Sequence, residues 1–277
     1  MKYQLWDMSW KEAEEAFKKS DMAIVPVGTL HGHGPTPVSI DSSSVGKLAE
    51  EVGKRTGVLT LPLLPYGEND KMKYYPGSIA IDPEVLEDVY TDICRSLYRN
   101  GIRRVIFLNG HGGNRESLIR TGRNVRDLGM IIAILEWWSI GRKLAPELYQ
   151  ESRGCFIEEL AVSIAIGGKN IADLRGGGYK GEWGENPTRK KILGEKIKPL
   201  GFNDFEYKDA QIIVPVEAWD LDVESPPEVD RNTLDELRSC GEAIISRVAD
   251  YVAEFAKDFQ KIDISTALKS KESPNMR

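Results

Sequence analysis

The stretch RRVIFLNGHGGNRESL, residues 103–118, decides the fold, because an apolar run without polar alternation leads through a glycine-rich turn into a helical pattern. A strand of this kind is expected where helices cover both faces of a sheet. MAIVPVG (Met22–Gly28) and MIIAILEWW (Met130–Trp138) are similar apolar runs, and helical patterns follow them over Asp41–Arg55 and Phe156–Ile166. Alternating strands and helices predict an α/β fold with a mostly parallel sheet and helices on both faces.

Weaker patterns complete this outline. GVLTLPLLP (Gly57–Pro65) indicates a second strand that its prolines interrupt. Pro83 suits the first turn of a helix, and further helices are predicted over about Asn114–Leu128 and Thr233–Phe259. The sequence contains no internal repeat and no linker long enough to mark a boundary. We therefore predict a single domain over residues 1–277.

The composition argues against several classes of function. A net charge of −6 and a pI near 5.4 disfavour nucleic-acid binding, which needs a basic face. The three cysteines, Cys94, Cys155 and Cys240, are odd in number and far apart, so they predict no disulfide framework. No apolar run approaches the roughly 18 residues of a membrane span, and the amphipathic N-terminus does not resemble a signal peptide. These features predict a reduced, cytoplasmic protein.

Each of the three histidines lies just after a predicted strand. His31 and His33 follow MAIVPVG in GTLHGHGPTP, and His111 follows RRVIFLNG in NGHGGNR. Ligands bind at the carboxyl ends of strands in open α/β sheets. Residues two apart in an extended segment point the same way, so His31 and His33 can face one ion, and Asp41 can return a carboxylate to it. Imidazole and carboxylate together suit Zn²⁺, Mn²⁺ or Fe²⁺, which predicts a metal site.

Both motifs have simpler interpretations. A bare HxH motif is a weak signal, since a single histidine is often a surface or hydrogen-bonded core residue. Glycine-rich turns after strands often bind phosphate through backbone N–H groups. Gly110, Gly112 and Gly113 do not provide the GxGxxG spacing of a dinucleotide site, so a phosphate- or nucleotide-binding module is the weaker hypothesis.

Four segments together resemble the creatininase (creatinine amidohydrolase) family. GTLHGHGPTPVSID is similar to the element in which HGP leads to a metal-bridging aspartate, and NGHGGNRESL matches the family's NGHGGN loop. LPLLPYGENDKMKYYPGSIAID resembles its LPYG and PGT segment, and EWGENPTRKKILGEKI resembles its G-x-P helix start. The resemblance runs from about Met22 to the final helix. It implies a three-layer α/β/α domain, a homo-oligomer that is often a hexamer, and one or two divalent ions that activate water against a C–N bond.

The resemblance also implies a set of ligands. His33 matches the ligand of the HGP motif, Asp41 the bridging carboxylate, and His111 the ligand of the NGH loop. His31 stands where the family usually has a glutamate, so a neutral ligand replaces an anion and the site is expected to be less negative. The loop from Pro35 to Asp41 is one residue shorter than the family's usual loop.

A second departure concerns acid–base catalysis. Gly154 stands near the place of a histidine that is catalytic in creatininase itself, which leaves Glu159, or else Glu158, to act as a ligand or base. Acidic pairs at a helix start often only complement the helix dipole. The backbone N–H groups of Gly112 and Gly113 are candidates to stabilise a developing oxyanion.

Five side chains are predicted to line the substrate pocket. Trp137 and Trp138 fall near tryptophans that wall the pocket in the family, although core packing at a strand end would explain them equally well. Tyr66, Ser78 and Asn114 are candidates for polar contacts with the substrate.

These observations predict a metal-dependent hydrolase in which metal-activated water attacks the carbonyl of a small cyclic amide or formamide. Zn²⁺ is the first choice of ion, with Mn²⁺ and Fe²⁺ as alternatives. Because His31 and Gly154 depart from the family pattern, an alternative is a C–C hydrolase that opens an oxidised inositol (keto-inosose) ring, whose 1,3-dicarbonyl would chelate a metal. A second alternative is a catalytically inactive ligand-binding protein on the same fold. We expect neither nucleic acid nor a membrane as a partner.

Overall fold

A four-stranded sheet organises the computed structural model, which describes residues 2–32, 36–70, 73, 77–148, 157–167, 197–199, 204–214 and 231–265. Its strands are β1 (Met22–Val27), β2 (Leu59–Thr60), β3 (Arg104–Asn109) and β4 (Ile131–Glu136). They run parallel in the order β2–β1–β3–β4. Every residue of β1 and β3 is buried, which explains why these strands lack polar alternation. The predicted parallel sheet is confirmed.

Seven α-helices lie in the described residues: α1 (Trp10–Lys19), α2 (Ile40–Thr56), α3 (Pro83–Arg99), α4 (Arg115–Arg126), α5 (Trp137–Leu144), α6 (Ile157–Ala165) and α7 (Arg231–Phe259). A separate antiparallel sheet contains β5 (Lys198–Pro199), β6 (Asp204–Tyr207) and β7 (Ala210–Ile213). Among the described helices, none combines the length and the apolar character needed to cross a membrane.

The core has one layer on each face of the four-stranded sheet. Alternate residues of β1 point to opposite faces, as the period of two in a strand requires. Met22 and Ile24 join the apolar cluster formed with α2, α5, α6 and α7, whereas Ala23 and Val25 join the cluster formed with α3 and α4. The residues of β3 divide between the clusters in the same way. This arrangement confirms the predicted α/β/α layers.

Terminal residues explain two helix boundaries. α3 begins with Pro83, whose fixed φ suits the first turn and whose missing N–H would have no partner there. α2 is followed by Gly57, which has a φ of 70° in the left-handed region that favours glycine. The N–H of Gly57 donates to the carbonyl of Gly53 and so ends the helix.

Two predicted strands are shorter than expected. In the stretch 57–65 only Leu59–Thr60 forms a strand beside β1, and Leu64 adds an isolated bridge to Val27. Pro62 and Pro65 have no backbone N–H for a continuous sheet ladder. β4 ends at Glu136, and Trp137 begins α5 instead of extending the strand. The prediction that both tryptophans belong to a strand was therefore wrong.

Candidate metal centre

Three elements bring polar side chains to the carboxyl edge of the sheet. β1 and β3 pair in register up to Val27 opposite Asn109, so the loops that follow them begin side by side. His31 lies in the loop after β1, and His111 lies two residues beyond β3. Asp41 lies in the first turn of α2. This is the edge at which open α/β sheets bind ligands.

The Asp41 carboxylate lies between the two imidazoles. Its Oδ2 atom is 2.8 Å from His31 Nε2 and 2.8 Å from His111 Nδ1. The two rings have centroids 4.7 Å apart and are tilted by 58°. One ligand atom from each of the three residues lies within 4.8 Å of the others, and no other described group of three or more His, Cys, Asp or Glu side chains converges in this way.

Burial and hydrogen bonding make this cluster suitable for a cation. His31 and Asp41 are 3% and 2% exposed, and the His111 side chain is 14% exposed, so solvent reaches the cluster mainly on the His111 side. His31 Nδ1 lies 2.8 Å from the Gly32 carbonyl, which can only accept, so Nδ1 carries the hydrogen. Nε2 faces the Asp41 carboxylate, and a proton or a metal ion between them would satisfy both electron-pair donors. Imidazole nitrogen with carboxylate oxygen is a common donor set for zinc.

Asp41 is positioned by contacts of its backbone and of its neighbour. A Cβ at position 110 would lie 2.0 Å from the Asp41 carbonyl oxygen, so only glycine lets α2 approach the end of β3 this closely. Ser42 Oγ donates to the carbonyl of Thr29 at 2.8 Å. These contacts bring the start of α2 against both strand ends, although the loop before Asp41 is short.

His111 is positioned by the last residue of β3. The Asn109 side chain accepts from the His111 N–H at 3.2 Å and donates to the His111 carbonyl at 2.7 Å. Gly112 and Gly113 follow in a short 3₁₀ helix, Gly112–Asn114, that leads directly into α4. Their N–H groups lie in a first turn, where the helix itself supplies no acceptor.

Asn114, predicted to contact the substrate, connects the loops of the site. It is fully buried, and its Nδ2 donates to the Gly28 carbonyl and to Asn109 Oδ1, each at 3.2 Å. Its Oδ1 accepts from the Glu68 N–H at 2.9 Å. Because both amide hydrogens are used, the evident role of Asn114 is to hold three loops together, and a substrate contact stays a prediction.

Two predicted glutamates lie outside the three-residue cluster, and two further predicted residues, His33 and Gly154, are not among the described residues. Glu158 and Glu159 lie on α6, are 5% and 8% exposed, and do not belong to the cluster. Glu158 forms an ion pair with Arg142 at 3.9 Å. A site role for either glutamate stays a prediction.

The remaining pocket candidates differ in exposure. Trp137 is 1% exposed within the cluster that contains α7 residues, and Trp138 is partly buried against the same cluster. Core packing therefore accounts for Trp137. Tyr66 is 40% exposed. Ser78 Oγ is buried and has no hydrogen-bond partner among the described residues. Pocket roles for these four residues stay predictions.

Sequence reasoning missed one acidic residue at this edge. Glu68 follows the LPYG segment directly, and its Oε2 atom lies 2.1 Å from where a Cβ at position 113 would be. The same hypothetical Cβ would lie 2.8 Å from His111 Nε2. The only available signal was the position of Glu68 beside a motif that the resemblance had already singled out.

Comparisons of sequence identify relatives of this chain. The family model described as creatinine amidohydrolase matches residues 6–157. Creatinine amidohydrolase of Pseudomonas putida is 29% identical over 161 residues, which cover 52% of this chain and 62% of that protein. The 3-dehydro-scyllo-inosose hydrolase of Thermotoga maritima is 32% identical over 107 residues, covering 38% and 34% of the two chains. The mycofactocin precursor peptide peptidase of Mycolicibacterium smegmatis is 32% identical over 104 residues, covering 35% and 42%. Each match spans less than two thirds of the relative.

Solved structures share the fold over nearly the whole chain. A crystal structure of creatinine amidohydrolase superposes with a TM-score of 0.68 at 22% identity, covering 94% of this chain and 99% of that chain. A mutant creatininase of the Zn-Zn type gives 0.67 at 19% identity, and a structure named Creatininase Mn gives 0.63 at 21%. Each covers 95% of this chain and 100% of the other. At these identities the likeness shows the fold.

Proposed function

Because this chain belongs to the creatininase family, as its sequence motifs predicted, we propose that it is a metal-dependent hydrolase. Its substrate is a small cyclic amide or formamide, and water breaks the C–N bond. The names of three relatives, an amidohydrolase, an inosose hydrolase and a peptide peptidase, all denote hydrolysis. This common reaction type supports the proposal, and the substrate has to be decided by experiment.

The convergence of His31, Asp41 and His111 is the observation that carries the proposal. Two imidazole nitrogens and a carboxylate oxygen meet within 4.8 Å at the carboxyl edge of the sheet. Catalytic zinc sites commonly use three such protein ligands and leave a further position for water or substrate. We propose His33 of the HGP motif as an additional ligand, with Zn²⁺ before Mn²⁺ or Fe²⁺ as the ion.

The groups at the site have different roles in the proposed reaction. A divalent ion bound here would supply Lewis acidity, which polarises a carbonyl group and makes water more acidic. The Asp41 carboxylate balances the ion's charge and keeps both imidazoles directed at one point. The N–H groups of Gly112 and Gly113 donate to the oxygen of the attacked carbonyl as its negative charge develops.

A carboxylate is needed to move a proton from water to the leaving nitrogen. We propose Glu159 for this role, with Glu158 as the alternative. Such general acid–base catalysis typically contributes about 10²–10⁴-fold to the rate.

Cleavage of a C–C bond in a keto-inositol is the second candidate function. The alignment with the Thermotoga maritima inosose hydrolase, 32% identical over 107 residues, favours it. A neutral imidazole at His31 in place of the family's glutamate also leaves the site more positive, which suits the anionic enolate of a 1,3-dicarbonyl. Both candidates use the same ligands, so they differ only in the substrate and in the bond that is cleaved.

Metal analysis combined with a hydrolysis screen tests the proposal. Purified protein is analysed for bound metals, stripped with a chelator and reloaded with Zn²⁺ or Mn²⁺. Each form is then assayed with cyclic amides, formamides, short peptides and keto-inositols. We expect turnover of at least one class, its loss on stripping and its return on reloading. Full activity after verified metal loss would contradict metal dependence.

The same experiment separates an inactive homologue from an enzyme. Protein that binds no metal and hydrolyses no member of the panel would favour a ligand-binding role. Stabilisation by nucleotides without any effect of metal would favour the phosphate-binding interpretation of the glycine-rich turn.

We further propose that the chain is a single-domain, cytoplasmic protein that forms a homo-oligomer, a hexamer by resemblance. Light scattering in solution tests the oligomeric state.

A further inference from the structure

Two tryptophans within the first ten residues expose most of their surface to solvent. Trp6 is 77% exposed and Trp10 is 74% exposed, the highest values among the large hydrophobic residues that the structure describes. A single exposed apolar residue is normal, but large apolar side chains that share one region of the surface usually mark a binding site. We call Trp6 and Trp10 together the tryptophan patch.

The pattern of helix α1 shows that Trp10 continues an apolar face. Trp10, Ala13 and Phe17 lie on one side of α1, because residues three, four and seven apart share a helix face. Phe17 packs against the core cluster that contains α3, and Ala13 is half-buried. Trp10 belongs to the same stripe but remains mostly exposed. The apolar face of α1 is therefore covered at one end and open to solvent at the other.

Polar contacts connect the two parts of the tryptophan patch. Trp6 lies in a short 3₁₀ helix, Leu5–Asp7. Lys2 Nζ donates to the Asp7 carbonyl at 3.1 Å and pairs with Glu12 Oε1 at 2.8 Å, which connects the 3₁₀ helix to α1. A capping box at the start of α1 fixes the turn between the two helices. Both tryptophans thus belong to one folded unit.

The residues before the patch are attached to the edge of the four-stranded sheet. Gln4 forms an isolated parallel bridge with Thr60 of β2, and the Thr60 N–H donates to the Tyr3 carbonyl at 2.8 Å. The Tyr3 ring lies against Gly53 of α2, where a Cβ would come within 2.2 Å of it. Side chains on an ordered support lose little conformational entropy when they bind, which favours association.

The charges around the patch indicate what kind of partner fits it. Residues 1–20 contain four lysines and four acidic residues, which cancel, whereas the whole chain has a net charge of −6. All eight are exposed: Lys2, Asp7, Lys11, Glu12, Glu14, Glu15, Lys18 and Lys19. A surface without net positive charge gains little from nucleic-acid phosphates or anionic lipids. A second copy of the same surface offers both signs, so that lysines of one copy can meet acidic residues of the other.

The apolar area of the patch suits a contact between two copies. A buried aromatic side chain covers about 150–250 Å². Two tryptophans that are about three-quarters exposed therefore offer roughly 200–400 Å² on each copy, against about 800 Å² per partner in a standard interface. Tryptophan is also enriched among the residues that dominate binding energy at interfaces. The patch can thus supply the apolar centre of such an interface, with the charged residues as its rim.

We propose that the tryptophan patch is an interface at which two copies of this chain associate about a two-fold axis, with Trp6 and Trp10 as its anchors. The same patch on both copies then forms the contact, as a two-fold axis requires. The inference rests on the homo-oligomer in the proposed function and identifies one of its surfaces. It does not depend on the metal site.

Sedimentation velocity over a range of protein concentrations tests the proposal. The concentration at which the wild-type assembly dissociates should rise at least about tenfold in Trp6→Ala and in Trp10→Ala, as expected for interface anchors. Ile213→Ala is the matched control, because Ile213 is 72% exposed on β7, outside the patch. The control should assemble like wild type. Circular dichroism shows whether each variant folds, which is expected because all three side chains are exposed.

Hydroxyl-radical footprinting of wild-type protein tests the same surface without any substitution. Peptide mass mapping measures the oxidation of each tryptophan separately. Trp6 and Trp10 should be oxidised readily in dilute, dissociated protein and be protected in the assembly. Trp137, which is 1% exposed in the core, is the internal reference and should be protected at every concentration.

The outcomes separate this inference from the proposed function. Wild-type assembly by both folded tryptophan variants, or equal oxidation of Trp6 and Trp10 in dilute and assembled protein, would overturn the inference and leave the homo-oligomer in place. A wild-type protein that stays monomeric at every concentration would overturn the homo-oligomer and the inference together. Metal-dependent hydrolysis would stand in either case, because metal stripping and reloading test it separately.

Discussion

Gly110 lies directly against the backbone of Asp41, with the position of a Cβ at residue 110 only 2.0 Å from the Asp41 carbonyl oxygen. Contacts between a real Cβ and a backbone oxygen are never this short, so a larger residue would push the first turn of α2 away from β3. The missing side chain at position 110 thus helps to place the Asp41 carboxylate between the imidazoles of His31 and His111.

Gly110→Ala is predicted to weaken metal binding and to lower the free energy of unfolding by about 1–3 kcal/mol, as overpacking usually does. Urea unfolding and Zn²⁺ titration measure the two effects. Gly46→Ala, inside α2, is the control, because its Cβ would meet only Leu63 at an ordinary 3.6 Å. Replacing a helical glycine there should stabilise the protein by roughly 0.5–1 kcal/mol. Wild-type stability and affinity in Gly110→Ala would contradict the packing argument.

Cys94 is predicted to resist alkylation in the native protein. It is buried on α3, and burial raises the pKa of its thiol to about 12. Since the thiolate is the nucleophile, Cys94 should not react with iodoacetamide at pH 8 until the protein is denatured. Peptide mass mapping follows the reaction, with the partly exposed Cys240 as the internal reference. Fast native modification of Cys94 would show that α3 packs less tightly than described.

Arg104→Met is predicted to destabilise the protein by about 2–4 kcal/mol, because charged hydrogen bonds are lost at a buried position. Arg104 Nε and Nη2 donate to the carbonyls of Phe259 and Ile262 at 3.1 and 2.6 Å, and Nη1 pairs with Asp21. These bonds attach the end of α7 to the start of β3. Arg99→Met removes an exposed arginine of α3 and should change stability by no more than about 0.5 kcal/mol. Equal effects of the two substitutions in urea unfolding would reject this role.

Glu51→Gln is predicted to lower stability at pH 7 by about 0.5–1 kcal/mol, the usual size for partly exposed ion pairs. Burial alone would raise the pKa of Glu51, but hydrogen bonds from Lys47, Lys54 and Arg55 outweigh it and lower the pKa to about 2. A lowered pKa stabilises the folded state above the ordinary value of 4.5, and this contribution disappears as the pH falls towards 2. The stability difference between wild type and variant should therefore shrink between these pH values. A difference that grows on acidification would contradict the assignment.

The layers of the fold could be predicted because the pattern of apolar residues along the sequence indicates which elements are buried. β1 and β3 are buried on both faces and consist of continuous apolar runs, and α2 and α3 begin and end near residues with clear helix-boundary preferences. The path after β4 could not be predicted in this way. Trp137 and Trp138 continue an apolar run, and only packing against α7 decides that they belong to a helix.

The same reason explains which residues of the site could be predicted and which could not. His31 and His111 could be placed at one edge because parallel strands align their carboxyl ends, and Asp41 because it follows the turn after β1. Glu68 could not, since its loop is not part of a strand or helix and its position depends on hydrogen bonds to Asn114, 46 residues away. Glu159 was chosen from a motif, and it is not a member of the group that His31, Asp41 and His111 form.

Calorimetric titration of Zn²⁺ into metal-free protein, with Asp41→Asn measured in parallel, tests the central claim most directly. Wild-type protein is predicted to bind at least one equivalent, and the variant to bind about tenfold more weakly or worse, because it lacks the carboxylate that joins the two imidazoles. Equal affinity in both folded proteins, or no binding by the wild type, would contradict a cation site formed by His31, Asp41 and His111.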